Sequence, residues 1–289
     1  MILIDFNQVC LASIMTMQSE LKTDDGAKKK DLIRHIALSS IKSYKKKYGK
    51  DYGDIVIASD GRGYWRKDFF PNYKASRKKN RDKSDMDWKF IFDTLGEIRD
   101  DLRQHFPYKV ICLDKCEADD VIAALTLQTQ EFGQHENVMI ISSDKDFKQL
   151  QKYDNVAQFS PMLKKLIKVN KKELKEWMVE HVVKGDSGDG IPNIMSSDDV
   201  FLLEERQKSV SSKRLTEFMS KGFDACQNDI ERRNWHRNST LVDFEYIPEE
   251  VKTSIIQEYE KPATGDKNSV MNYLIKNKCR LLLNEIEDF

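Results

Sequence analysis

Four short apolar runs punctuate the first half of the chain: residues 2–4 (ILI), 54–59 (DIVIAS), 109–113 (KVICL) and 137–142 (NVMIIS). Their brevity and their β-branched residues mark them as buried strands. Between them the apolar positions fall at helical spacing. Leu32, Ile33, Ile36, Leu38 and Ile41 share one flank, and Trp88, Ile91, Phe92, Leu95, Ile98 and Leu102 share another. Val121, Ile122, Leu125 and Leu127 make a third. Strands alternating with helices predict a mainly parallel α/β sheet with helices on both faces. From about Val169 the strand signal fades, and stretches such as KKELKEWMVEHVV and EEVKTSIIQEYE predict helices. The expected organisation is an α/β part over residues 1–184 and a smaller all-helical part over 185–289.

Polar residues at the ends of the strands carry the chemistry. Asp5 follows the first run, Asp60 the second, Asp114 and the group Glu117, Asp119 and Asp120 the third, and Asp144 and Asp146 the fourth. The carboxyl ends of parallel strands form the crevice in which α/β proteins bind ligands. Any one of these acids could simply cap a helix; Asp144 before Lys145, or Asp114 with Glu117, has the spacing for it. Capping does not explain why all four strands deliver carboxylates to one edge. Two carboxylates about 4 Å apart repel by roughly 4 kcal/mol at an effective dielectric near 20. Such a cluster therefore binds protons or cations. Ligands that are all oxygen, without His or Cys, select Mg2+ or Mn2+. Two such ions roughly 3.5–4 Å apart suit phosphodiester hydrolysis.

Composition narrows the alternatives. The 289 residues are 39% hydrophobic and 33% charged, and no run is long and apolar enough to span a bilayer. The start, MILID, turns acidic too soon for a secretory signal, so the five scattered cysteines read as reduced thiols of a cytoplasmic protein. Cys112 and Cys116 lack a second pair at zinc-ligand spacing. Net charge is zero, yet nine Lys/Arg and only two Asp lie between Arg62 and Lys83. Aromatic residues interleave with these cations: Tyr64, Trp65, Phe69, Phe70 and Tyr73 among Arg66, Lys67, Lys74, Arg77, Lys78 and Lys79. Cations can track a phosphate backbone while aromatics stack unpaired bases, which predicts a single-strand nucleic-acid surface; the alternative is a solvated helix face over a small aromatic cluster.

The ordered strings LIDF, YWRKDFFPNYKASRKK, CEADDVIAAL, ISSDKDFKQL and KGDSGDGIPN, with DFEYIP near the end, span essentially the whole chain. This set resembles the 5′-nuclease (flap endonuclease) family, which includes the 5′-nuclease domains of bacterial DNA polymerase I and phage 5′-exonucleases. The resemblance implies a Rossmann-like sheet of the PIN/5′-nuclease type, with a basic arch at about residues 61–87. It implies one Mg2+ held by Asp5, Asp60, Glu117 and Asp119, with Asp144 nearby or bridging. Asp120, Asp146, Asp186 and Asp189 would serve a second ion, Mn2+ substituting for either. Lys74 and Arg77 match Y-K-x-x-R and would steady the scissile phosphate; Tyr64, Trp65, Arg66, Lys67, Tyr73, Lys78 and Lys79 would contact nucleic acid.

The implied activity is 5′→3′ exonuclease and flap cleavage of DNA and RNA–DNA hybrids, removing RNA primers in phage-type replication. The implied partners are flap, nicked or forked DNA, a single-strand DNA-binding protein and a sliding clamp, met by a monomer in the host cytoplasm. Asp186 and Asp189 lie in GDSGDGIP, which otherwise reads as a polar turn with Gly185 closing a helix. After it the family's G-x-G-x-K hairpin is replaced by IMSSDDVFLLEERQ, and Gly190 stands for the usual Asn. Three rivals fit less well. A phosphatase of this sheet type would want a second Asp two residues after Asp5, where Asn7 stands. A non-catalytic replication factor has no reason to keep the strand-end acids, and PIN-type endoribonucleases usually lack the arch.

Overall fold

A computed structural model describes residues 1–17, 20, 25–77, 81, 84, 86–130 and 135–289. In chain order the elements are β1 (Ile2–Asp5), α1 (Phe6–Thr16), α2 (Gly26–Tyr52), β2 (Ile55–Ala58), α3 (Trp65–Phe69), α4 (Trp88–His105), β3 (Lys109–Ile111), α5 (Ala118–Gln128) and β4 (Val138–Ile141). A 3-10 helix over Lys145–Lys152 follows, then β5 (Val156–Ser160), β6 (Lys165–Ile167), α6 (Leu174–Lys184), α7 (Ser212–Lys221), α8 (Asp229–Val242), α9 (Glu249–Glu260), α10 (Lys267–Lys276) and the short α11 (Arg280–Leu283). Among the described residues no helix is long and apolar enough to cross a membrane.

The chain folds into two compact units, each assembled from separated stretches. The first takes Met1–Arg62, Asp87–Lys168 and Glu249–Phe289; the second takes Gly63–Met86 and Val169–Pro248. The division thus crosses the sequence four times, where a single boundary near residue 184 was expected.

In the first unit six strands run in the order β3-β2-β1-β4-β5-β6. The first five are parallel, and only β6 is antiparallel to its neighbour. β1 sits between β2 and β4, with Ile4 opposite Ile57 and Ile141. β1, β2 and β4 are buried at every position, as strands covered on both faces must be. Ile91, Leu95, Ile98 and Leu102 of α4 are buried along one face at the period of a packed helix.

β5 and β6 were not legible in the apolar pattern. Gln158 and Ser160 lie on a buried face of β5, where a strand normally shows aliphatic residues, and β6 is largely exposed. Phe159, on the opposite face of β5, packs edge-on against Tyr44 of α2. The helices α9 and α10 of the C-terminal stretch belong to this unit: Lys109 of β3 donates to the Tyr259 carbonyl, and Tyr273 donates to Asp101 at 2.8 Å.

The second unit is built on α6, α7 and α8 around two apolar clusters. Phe70, Tyr73, Val182, Ile191, Leu241 and Val242 form one; Val183, Ile194, Phe218, Ala225 and Cys226 form the other. α8 also contributes buried amides. Asn234 donates to the carbonyls of Ile194 and Ser196, and Asn238 to those of Val182 and Pro192. These bonds give partners to a carbonyl in the last turn of α6 and to the backbone of the irregular segment after it.

Candidate active site

At the carboxyl edge of the sheet, strands turn into helices with little intervening loop, and acids sit at the turns. Asp5 ends β1 and caps α1. One of its carboxyl oxygens accepts the Gln8 N–H at 3.2 Å, and the other accepts the Ser142 hydroxyl at 2.9 Å. Asp60, two residues beyond β2, accepts the Ala118 N–H at 3.0 Å and the Asn7 amide at 3.3 Å. It therefore receives the first N–H of α5, where the helix dipole favours negative charge. The turn after Asp60 needs glycine. A Cβ on Gly61 would stand 1.7 Å from the Leu113 carbonyl oxygen, so the turns after β2 and β3 touch backbone to backbone.

The acids after β3 and β4 divide their roles. Glu117 is the N-cap of α5, and Asp120, fully buried, accepts the Glu117 N–H at 2.9 Å in a capping box. The capping partner of Glu117 is thus Asp120 and not Asp114, which is exposed and lies 3.6 Å from Arg62. Asp119 occupies the second position of α5, half-buried. Asp144 caps the 3-10 helix by accepting the Asp146 N–H at 2.9 Å. Capping and clustering thus coexist in Asp5 and Asp144, which each start a helix and also feel one another's charge.

Asp5 registers the crowding. It is only 7% exposed, and burial, with the charge of Asp60 and then of Asp144, pushes its carboxyl up to about 7. The hydrogen bonds from Ser142 and Gln8 oppose that rise. The structure therefore brings Asp5, Asp60 and Asp144 into one electrostatic group, with the start of α5 beside Asp60. The donor set of Asp5, Asp60 and Asp144 is oxygen throughout, which fits a hard divalent cation.

Within the second unit, Asp186 and Asp189 occupy a tight turn closed by Asp186 pairing with Ile191 at 2.7 and 2.9 Å. Asp186 accepts the Gly188 N–H at 2.8 Å. Gly185 (φ 66°) and Gly190 (φ 71°) hold left-handed conformations, and a Cβ on Gly185 would meet the Ile191 carbonyl oxygen at 2.3 Å. Asp189 meets two cations of the basic stretch, Lys74 at 3.6 Å and Arg77 in an ion pair, and accepts the Tyr73 hydroxyl at 3.1 Å.

Two of the residues expected to meet nucleic acid are interior. Arg66 is 2% exposed and donates to the Leu241 carbonyl at 3.0 Å, and Tyr73 is 3% exposed in the apolar cluster. Tyr64 and Trp65 are half-buried, Tyr64 against the same cluster, while Lys67 and Arg77 are exposed. Lys78 and Lys79 lie outside the described residues. Sequence reasoning missed Asn7, Gln8, Ser142 and Gln158, which hold the acids or their backbone. The doubled serine of IISSD and the polar start of α1 were the available signals.

Comparison with known proteins matches this architecture. The family model of the 5′-3′ exonuclease N-terminal resolvase-like domain matches residues 1–182, and that of the T4 RNase H C-terminal domain matches residues 170–289. The chain is 33% identical over 295 residues to ribonuclease H of Enterobacteria phage T4, covering 99% of this chain and 95% of that one. It is 28% identical over 157 residues to a 5′-3′ exonuclease of Buchnera aphidicola, about half of each chain (52% and 50%). Among solved structures, the zinc-bound 5′-exonuclease of phage T5 superposes with a TM-score of 0.64 at 17% identity, over 91% of this chain and 99% of that one. A T5 flap endonuclease complex with DNA and metal ions gives 0.62 at 16% identity, over 90% and 99%.

Proposed function

Because the chain belongs to the 5′-3′ exonuclease family of hydrolytic nucleases, we propose that it is a Mg2+-dependent 5′→3′ exonuclease and flap endonuclease that removes RNA primers and displaced 5′ ends. One observation carries the reading: Asp5, buried at the end of the central strand, shares its edge with Asp60 and Asp144, and its carboxyl is pushed up to about 7 by burial and by their charge. A divalent cation relieves that repulsion. Asp5, Asp60, Glu117 and Asp119 would hold the first ion with Asp144 beside it, and Asp120 and Asp146 would serve the second. Two bound Mg2+ ions would activate water and stabilise the leaving oxygen. Lys74 and Arg77, already paired with Asp189, would exchange that carboxylate for the scissile phosphate. The products would be a 5′-phosphate and a 3′-hydroxyl.

The test uses 3′-labelled flap, nicked and RNA–DNA hybrid duplexes. With Mg2+ or Mn2+, short products should leave the 5′ end, and EDTA should stop the reaction. Cleavage that survives EDTA, or that starts at the 3′ end, refutes the proposal.

A further inference from the structure

Gln158 sits in the middle of β5, opposite Ile140 of β4, and is 1% exposed. Its amide nitrogen donates to two backbone carbonyls, Ser142 at 3.0 Å and Asp144 at 2.7 Å. Its amide oxygen accepts from the Gln151 amide at 3.0 Å, and Gln151 is itself buried. All three bonding sites that this environment offers are filled, and the amide has one orientation. Turning it over would set its oxygen against two carbonyl oxygens and its nitrogen against another donor.

The two carbonyls bracket the turn that carries Asp144. Within that turn the Ser142 hydroxyl accepts the Asp144 N–H at 3.1 Å and donates to Asp5 at 2.9 Å. Two residues along the same face of β5, Ser160 pairs with Ser143 at 2.8 Å. This face is polar where a core strand is normally aliphatic, and both of its polar residues grip the same turn. Burying a primary amide has a cost that only full satisfaction offsets, and here that satisfaction fixes an acid-bearing turn.

We propose that Gln158 is a positioning residue: it sets where the Asp144 carboxylate stands relative to Asp5, with Gln151 holding Gln158 in register. The inference rests on the reading of this edge as a divalent-cation site, and it adds the strand that gives the site its spacing. Residues that orient metal-holding groups typically affect affinity by about 10–100-fold when removed.

The experiment measures Mn2+ binding to the substrate-free protein by titration calorimetry, beside thermal melting. Gln158→Leu keeps the volume and removes the donors; it should weaken Mn2+ binding by about 10–100-fold. Gln151→Leu leaves the Gln158 contacts in place and loses only their brace; it should weaken binding less, yet measurably. Phe159→Leu, on the other face of β5, loosens the strand against α2 and should lower the melting temperature while leaving Mn2+ affinity as in the wild type. If Gln158→Leu fails to fold, Gln151→Leu decides. Glutamine variants that melt earlier but bind Mn2+ like the wild type overturn the proposal. A wild-type protein that takes up no Mn2+ overturns the metal-site reading itself, and the proposal with it.

Discussion

Asparagine at position 144 separates two jobs that one carboxylate does. Asn caps a helix as well as Asp, so Asp144→Asn keeps the bond to the Asp146 N–H and removes only the charge. The expected outcome is a fold as stable as the wild type, because a repulsive charge beside Asp5 is gone, with cleavage slowed at least roughly a hundredfold. Asp144→Ala loses both functions and should also melt earlier, by about 1 kcal/mol of stability. Thermal melting and single-turnover rates distinguish the two. Asp5 supplies a pH signature. Its folded-state carboxyl titrates at about 7, above the ordinary 3.8. In metal-free protein the stabilisation from the protonated form is complete below the unfolded value and is lost as pH rises through about 7. Relative to Asp5→Asn, the wild type in EDTA should therefore lose a few kcal/mol between pH 4 and 7.5, at up to roughly 1.4 kcal/mol per pH unit. Parallel melting curves for the two proteins would contradict the buried, crowded environment of Asp5.

At the level of elements, the strands that read as unbroken aliphatic runs were legible because both faces of a parallel sheet must be apolar. β5 was not, for the reason that makes it useful: Gln158 and Ser160 interrupt the apolar pattern in order to hold the acid-bearing turn. The acids themselves could be read from their place after each strand. Capping could be read too; what could not be read was that one carboxylate does both, since capping and clustering leave the same letters at the same spacing. Gly61 shows the limit from the other side. It has no positive φ to mark it, yet the Leu113 carbonyl occupies the space of its Cβ. Gly61→Ala should destabilise the protein by on the order of 3 kcal/mol or more, which chemical denaturation would detect, because backbone rather than a mobile side chain must yield.

Over the whole molecule, zero net charge hides a strongly uneven distribution, with the basic stretch placed in the second unit. Interleaved cations and aromatics suggested a surface for nucleic acid, but composition does not say which side of a segment faces inward. Arg66, Phe70 and Tyr73 turned out to be interior. For the half-buried Lys74 and the exposed Arg77, Lys74→Ala and Arg77→Ala should slow single-turnover cleavage of a bound flap far more than they weaken its binding, since their charge matters most as charge builds on the phosphoryl oxygens. Lys78→Ala and Lys79→Ala should each reduce the salt slope of binding by roughly 0.9 on duplex or 0.7 on single strands. Equal small losses of affinity in all four variants, with normal rates, would leave the stretch as a solvated face.

The position of β1 has a consequence in time. Residues 2–5 form the middle of the sheet and are made well before their second neighbour, β4, which begins at Val138. At about 5–20 residues per second, roughly seven to twenty-seven seconds of synthesis separate the two strands. Until then Asp5 has neither Ser142 nor Asp144 beside it, and the crowded edge does not exist. A nascent or prematurely ended chain thus lacks this cluster of acids until β4 and the turn after it have been made.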